Sequence, residues 1–399
     1  MIYAPGKADQ GVVRRHNASI VLHQLRLHAP LSRADLAKRI GLNRSTVSSI
    51  VSRLLDQGFI HETAFQTDKL GRPGLSLELN PLGGCAVGAE IAPDCVHVIL
   101  TDFVAQVIWR RRVRMSVGEP QANYLDAADE LVRQALYQAQ GHGLRALGVG
   151  LVLPGMVDVQ TGDLRYAPSL RWHDVPFRTT WQERFGLPVF VENNASAAAL
   201  GEFYFGVARN VPNFLYVGAG VGMGGGIVIN GQLFRGRGGF AGEMGHMTLD
   251  PNGALCACGR QGCWETLVGP QAVVSQYRRR ASVAAAQRVD AEGHGFEEIV
   301  AAADADDLAA LAVMQDLGHF LGIGIANLVN IFNPQLVVLG GLYSLAHETI
   351  IPIIKAAVKR HSLFPMRTAL SVVPSQRGVE DGLLGGVALI LDDLMRSPV

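Results

Sequence analysis

The sequence predicts two joined architectures, a mostly helical N-terminal winged helix-turn-helix followed by a larger α/β body. Three observations carry this reading. Within the first 81 residues, helix, turn, helix and strand signals follow one another in that order. After Asn80-Pro81, strand-like runs alternate with helical patterns and glycine-rich turns. The chain also has 399 residues, more than one hydrophobic core organises.

In the head, Ile20, Val21, Leu22, Leu25 and Leu27 recur at helical spacing between Asn17 and Ala29, with Asn17 placed as a cap. Pro30-Leu31 breaks that helix. Ser32 then caps Arg33 to Ile40, with Asp35 at the acid-favouring N-terminal end. Gly41-Leu42 turns the chain, and Asn43 caps a third helix from Arg44 to Gln57. Its apolar stripe is Val47, Ile50, Val51, Leu54 and Leu55, and Gly58 stops it. Phe59–Thr63 and Leu75–Leu79 read as two strands around the loop Gly71-Arg72-Pro73-Gly74.

Opposite the apolar stripe, the third helix offers Asn43, Arg44, Ser45, Thr46, Ser48 and Ser49, with Arg53 further along. Small hydroxyls approach phosphates and bases closely, and arginine forks onto guanine, so this helix suits a DNA major groove. Ser32 and Arg33 begin the preceding helix and join the candidate DNA contacts. Arg72 sits on a tight loop that a narrow minor groove would receive. The charge distribution agrees. Residues 1–81 hold eleven Lys and Arg against six Asp and Glu, although the whole chain is neutral. A basic head on an acidic body is expected where only the head meets phosphates. The bland alternative is a small helical bundle for protein contacts, with its Ser and Thr merely solvated.

Met1 to Gln10 lack the apolar core of a signal peptide, and no apolar run reaches the ~18 residues of a membrane span, so a cytoplasmic protein without a membrane partner is expected. In the body, Val96–Leu100, Ala146–Leu153, Pro188–Val191, Asn213–Val217, Leu336–Leu339 and Leu370–Val373 read as strands. The 46 glycines concentrate after residue 140, which predicts turns and close backbone approaches. The Ala-, Arg- and Asp-rich stretch from Arg278 to Ala310 reads as exposed helices.

Cys85 and Cys95 stand apart, whereas Cys256, Cys258 and Cys263 crowd into eight residues, ten positions after His246. One imidazole and three thiolates complete a tetrahedral set for one structural Zn2+. Four protein ligands close such a site, so zinc-activated water is not expected. Buried free thiols are the alternative.

These motifs, with Leu153-Pro154-Gly155-Met156-Val157-Asp158, Ala167-Pro168-Ser169-Leu170-Arg171-Trp172, Glu192-Asn193-Asn194-Ala195, the glycine-rich turn segment Gly218–Gly231, Ala241-Gly242-Glu243-Met244-Gly245-His246 and Asn333-Pro334-Gln335, resemble the ROK family of repressors and sugar kinases throughout residues 82–399. With a winged head, the chain is similar to the family's transcriptional repressors, and its glycine-rich segment resembles the xylose-responsive branch. The resemblance implies an actin-like, two-lobed sugar kinase fold. A winged domain of residues 1–81 would precede a first lobe of about 82–200 plus a C-terminal helix of about 376–399. A second lobe of about 201–375 would carry the zinc site. It also implies sugar contacts from Asn193, Glu243, His246 and Glu265, with Asn194, Gly155 and Ser169 nearby. Amides and carboxylates converging in a cleft suit a hydroxyl-rich ligand.

Three departures separate the chain from the kinases it resembles. Asn194 stands where those kinases have the Asp that deprotonates the attacking hydroxyl, and a neutral amide cannot accept that proton. Their phosphate loop is replaced by Gly88-Ala89-Glu90-Ile91-Ala92-Pro93, whose carboxylate repels phosphate. Gly220-Val221-Gly222 lacks the hydroxyl of their Gly-Thr-Gly turn. The expectation is a non-enzymatic, homo-oligomeric repressor, a dimer or dimer of dimers, released from operator DNA by an aldose, with xylose ahead of glucose. An ATP-dependent sugar kinase with a DNA-binding head and a thiol-redox sensor are the competing readings.

Overall fold

The computed structural model describes residues 10–64, 75–287, 289, 295–366, 370–378 and 381–396. The head consists of α1 (Gln10–His28), β1 (Leu31–Ser32), α2 (Arg33–Ile40), α3 (Arg44–Asp56), β2 (Ile60–Ala64) and β3 (Leu75–Leu79). Its three strands form one sheet in the order β1-β3-β2. Ser32 and Asp35 make a reciprocal capping box on α2, and the Asn43 side chain accepts from Thr46 N at 2.8 Å to cap α3. Gly41 and Gly58 take the left-handed conformation that ends each helix. The first helix begins seven residues before Asn17, which lies inside it rather than at its cap. That added stretch carries exposed Val12 and Val13, so no apolar stripe marks it in the sequence. The loop holding Arg72 lies outside the described residues.

The head is docked on the body. Asn80 donates its amide to Gly58 O at 2.8 Å, Phe103 N donates to Pro81 O, and Phe103 stacks on Phe59 with ring centroids 5.3 Å apart. The head's core (Leu22, Leu36, Val47, Val51, Leu77) is continuous with buried residues of the body.

The body begins with β4 (Cys85–Ala92), β5 (Cys95–Asp102), β6 (Val107–Arg114), α4 (Gln121–Gly141) and β7 (Ala146–Leu153). A small antiparallel sheet of β8 (Met156–Asp158), β9 (Asp163–Ala167) and β10 (Trp172–Val175) precedes α5 (Phe177–Phe185), β11 (Val189–Asn193) and α6 (Asn194–Phe205). The first large sheet runs β11-β7-β4-β5-β6, with β7 parallel to both β4 and β11. A second five-stranded sheet contains β12 (Phe214–Ala219), β13 (Met223–Ile229) and β14 (Gln232–Leu233). Helices α7 (Glu265–Val268), α8 (Pro270–Arg280), α9 (Val283–Ala286), α10 (Phe296–Asp304) and α11 (Leu308–Phe332) lead back to its strand β15 (Leu336–Gly341). The chain closes through α12 (His347–His361), β16 (Ser371–Pro374) and α13 (Asp381–Arg396). The second sheet has the order β14-β13-β12-β15-β16.

One expectation needs correction. The helices after Arg278 are not simply exposed, because α10 buries Phe296, Ile299 and Ala303 in the core of the second sheet. Helix α11 is long and apolar enough, by length and composition, to cross a membrane. Here it packs along α12 and buries Val313, Leu317, Leu321 and Ile325 as a core helix.

The two sheets meet through α6 and α13. Ten of the twelve residues of α6 are buried, and α13 lies along it while also covering β4 and β7. Gly201 and Gly385 make this approach possible. A Cβ on Gly385 would collide with the backbone carbonyl of Ala197, and one on Gly201 would sit 3.1 Å from Gly385 N. Gly385→Ala is therefore expected to force these helices apart at a cost of about 1–3 kcal/mol. Urea denaturation followed by circular dichroism should show a lower midpoint than for the unsubstituted chain.

Candidate metal centre and ligand cleft

The cysteine-rich loop folds back on itself through paired backbone bonds. Leu249 N donates to Gly262 O, Gly262 N to Ala254 O and Cys256 N to Arg260 O. Gly262 is left-handed, and a Cβ there would collide with Asp250 O, so only glycine permits the reversal. Trp264, fully buried, donates its indole N–H to Phe320 O and pins the loop to α11. The result gathers His246, Cys256, Cys258 and Cys263, with ligand atoms all within 4.8 Å of one another. Cys256 Sγ lies 3.7 Å from His246 Nδ1, and Cys258 Sγ lies 3.6 Å from Cys263 Sγ. Bonds of 2.3 Å from zinc to sulfur give a tetrahedral edge of about 3.8 Å, so the spacing fits a metal of that size.

His246 faces two ways. Its Nδ1 points to the thiols, while its Nε2 lies 3.9 Å from Glu243 Oε2. Partial burial pushes the Glu243 carboxyl above its ordinary pKa, with His246 opposing the shift and Glu265 adding to it. Glu265 begins α7 and reaches the opposite wall, where its Oε2 accepts from Met223 N at 3.0 Å. Its Oε1 lies 3.6 Å from Cys256 Sγ. The metal loop, the Glu243–His246 turn and the β12–β13 hairpin thus share one small volume.

The glycine-rich segment is a strand rather than a succession of turns. Met223–Ile229 forms β13, with neighbours pressed on both faces. A Cβ on Gly224 would lie 2.9 Å from Ala195 Cβ of α6, while one on Gly225 would collide with Met244 of the Glu243–His246 turn. Gly226 is occluded by Ala199. Side chains at these positions would separate α6 from the turn that carries Glu243.

On the other side, Asn193 ends β11 and caps α6. Its Oδ1 accepts from Ala195 N and Ser196 N, and its Nδ2 donates to Gly155 O at 2.9 Å. Asn193 thus ties the Gly155 turn to α6. Asn194, the first residue of α6, turns its Oδ1 onto Ala195 N. Ser169 lies in the turn between β9 and β10, half-buried.

Two residues escaped the sequence reading. Glu192, 1% exposed on β11, receives Arg235 Nε at 2.8 Å and Asn193 N at 3.0 Å. Arg235 lies beyond the second sheet's β14, so this ion pair links the two halves of the body beside Asn193. A charged residue inside the apolar run of β11 was the available signal.

In the head, Arg44, Ser45, Ser49 and Arg53 are exposed on α3, and Thr46 and Ser48 are half-buried. Ser45 Oγ donates to Asn43 Oδ1 at 2.8 Å. Arg33 instead pairs with Glu62 of β2 at 2.9 Å.

Residues 86–393 match the family described as "ROK family", and residues 14–69 match the MarR family. The chain is 30% identical to the xylose repressor of Bacillus subtilis (strain 168), over 97% of this chain and 98% of that protein. It is 28% identical to the DNA-binding transcriptional dual regulator NagC of Escherichia coli (strain K12), over 93% and 92%. Among solved structures it superimposes on a ROK family transcriptional regulator, a homolog of the E. coli MLC protein, with a TM-score of 0.84 and 29% identity. That match covers 97% of this chain and 98% of the other. A ROK family glucokinase from Streptomyces griseus, solved with glucose and AMPPNP, matches with a TM-score of 0.68 and 30% identity over 77% of this chain and 99% of that one. With a MarR-like head and an actin-like, sugar-kinase-type body, the chain belongs to the ROK family.

Proposed function

We propose that the protein is a sugar-responsive transcriptional repressor, with an aldose bound in the cleft between the body's two sheets and operator DNA bound by α3. The observation that carries this reading is the union, in one packed molecule, of a DNA-reading head and a sugar-kinase-type body whose base position is Asn194. An amide in place of a carboxylate can hold a hydroxyl but cannot take its proton, which is why the site reads as a sensor rather than a kinase. The glucokinase likeness supports the fold and the ligand class. Relatives named as repressors along the whole chain support the function. Acting on DNA, the protein would work in the cytoplasm, with two or more copies placing α3 helices on paired half-sites.

The sugar contacts proposed are Asn193, Asn194, Glu243, His246 and Glu265, with Gly155 and Ser169 lining the turn opposite. Xylose is the favoured effector, because a pocket with no oxygen to activate has no need of the hydroxymethyl group of a hexose. Likeness to a xylose repressor supports the same choice. Zinc is proposed at His246, Cys256, Cys258 and Cys263. There it would supply a crosslink that folds the loop and fixes the His246 ring toward Glu243. The DNA contacts proposed are Asn43, Arg44, Ser45, Thr46, Ser48, Ser49 and Arg53, with Ser32 at the start of α2 and Arg72 on the wing. Arg33, bonded to Glu62, is less available to DNA than these residues.

Calorimetric titration with D-xylose, D-glucose and N-acetylglucosamine tests the effector, and heat from D-xylose at the lowest concentration is expected. Binding of the acetylated sugar alone would overturn the assignment. Each of Glu243→Ala and Glu265→Ala removes a charged hydrogen-bond partner worth about 1–3 kcal/mol, so sugar affinity should fall by roughly one to two orders of magnitude while DNA binding persists.

Arg44→Ala should weaken binding to a specific duplex by about 1–3 kcal/mol and relax preference at one base position. Selection from a random duplex library, followed by titration of both proteins, measures this. An unchanged affinity would mean that another element enters the groove.

Elemental analysis of reduced, freshly purified protein should give one zinc per chain. Cys258→Ser should lose that zinc, melt at lower temperature and bind sugar more weakly through the released His246. Metal-free protein with full sugar affinity would dismiss the site.

A further inference from the structure

Arg26 lies on the head's first helix and is buried, 7% exposed, against a part of the body 177 residues away. Its Nη1 donates to the backbone carbonyls of Phe203 and Tyr204, both at 3.1 Å. Its guanidinium lies over both rings, 5.1 Å from the Phe203 centroid and 4.5 Å from that of Tyr204. Arg209 answers with a hydrogen bond to the Arg26 carbonyl. The two carbonyls belong to the last turn of α6, where backbone acceptors lack helical partners and the helix dipole favours a cation.

Among the described residues, no carboxylate is in hydrogen-bond or ion-pair contact with Arg26. The nearby Asp392 is already engaged, accepting from Tyr204 Oη at 2.9 Å and from Arg396 Nε at 2.7 Å. Arg26 Nε, moreover, finds no hydrogen-bond partner among the described residues. A buried cation with an unsatisfied N–H and no direct counter-ion costs more than an apolar residue of the same shape would. Adhesion alone does not explain an arginine here.

The other end of α6 does. The helix begins at Asn194, and its N-cap is Asn193. Along its length it packs against α13 at glycine-on-alanine distances. Twelve residues span about 18 Å, so one stiff element touches the ligand cleft at its first turn and the head at its last.

We propose that Arg26 is a positioning residue that couples the two sites, turning a displacement of α6 caused by bound sugar into a re-aiming of the DNA-reading head. This rests on the reading of the chain as a sugar-responsive repressor. The warrant is physical contact at both ends of one helix, and coupling itself is measured as a change in one affinity caused by the other ligand.

The test uses the full chain and the tightest duplex it selects from a random library. Duplex affinity is measured with and without saturating D-xylose, and D-xylose affinity is measured separately. The unsubstituted chain should lose affinity for DNA by a factor of about 5–150 on adding sugar, the usual range of allosteric coupling. Arg26→Met preserves the bulk of the side chain. It should bind D-xylose within about threefold of the original, yet its duplex affinity should change less than about threefold with sugar. Arg26→Lys, which keeps the charge and one donor, should respond to an intermediate degree. A fully responsive Arg26→Met protein overturns the coupling role and leaves the repressor reading intact. An unsubstituted chain that binds DNA but answers neither D-xylose nor D-glucose overturns both. Hydrogen exchange on the unsubstituted chain is independent of any folding defect in the variants. D-xylose should change protection at residues 23–28 and 203–206, and protection confined to the cleft overturns the proposal.

Discussion

Everything in this molecule is arranged around the contact between α6 and α13. Ala197, Gly201 and Gly385 bring the two backbones so close that a methyl group added at Gly385 collides with the Ala197 carbonyl. Such packing permits little adjustment, because interiors at this density are felt to change by one methylene. It also sets where both sheets lie. Gly150 of β7 abuts Gly386 on one side, while Gly226 of β13 abuts Ala199 on the other. The first sheet is thus registered against α13 and the second against α6. The two sheets therefore shift relative to one another only as these two helices shift.

The metal loop solves a different problem. The loop between His246 and Trp264 has few apolar residues to hold it, and residues 247–263 form no regular element longer than a bridge. Two devices replace a core. Trp264 anchors the loop's end under α11, and the His and Cys side chains converge on a point where a metal would tie them together. With four ligands available, that metal would have no open position for chemistry. Its effect on ligand binding would pass through one imidazole ring, whose second nitrogen faces Glu243.

What could be read from the sequence was mostly local. The caps at Ser32 and Asn43, the stops at Gly41 and Gly58, and the strand at Ala146–Leu153 all follow from residues within a few positions of one another. The gathering of His246 with three cysteines was legible for the same reason, since spacing alone restricts what such residues do. Where local signals were missing, the reading slipped. The start of α1 carries solvent-facing valines, and α10 hides its apolar face within an Ala-rich stretch. Glycine misled in an instructive way. In β13 it is required by what presses on the strand from α6 and from Met244, neither of which its own sequence discloses. The same holds for Glu192 with Arg235 and for Arg26 with Phe203, whose partners lie 43 and 177 residues away.

A sensor asks less of a kinase-type fold than a catalyst does. A catalyst must bind a transition state more tightly than its substrate, which demands groups aimed at developing charge. A sensor needs only a difference in ligand affinity between two arrangements of the same chain. A tenfold change in operator affinity requires about 1.4 kcal/mol of such difference, and a hundredfold change about 2.8 kcal/mol. One or two hydrogen bonds made in a single arrangement supply this, at about 0.5–1.5 kcal/mol net each. Asn193 and Asn194 stand on α6, while Glu243 and Glu265 stand on elements around the second sheet. A ligand bonded to both sets strengthens its hold only when their separation matches its size. The amide at Asn194 adds a further condition, for a group that cannot ionise keeps the same bonding pattern across the physiological pH range.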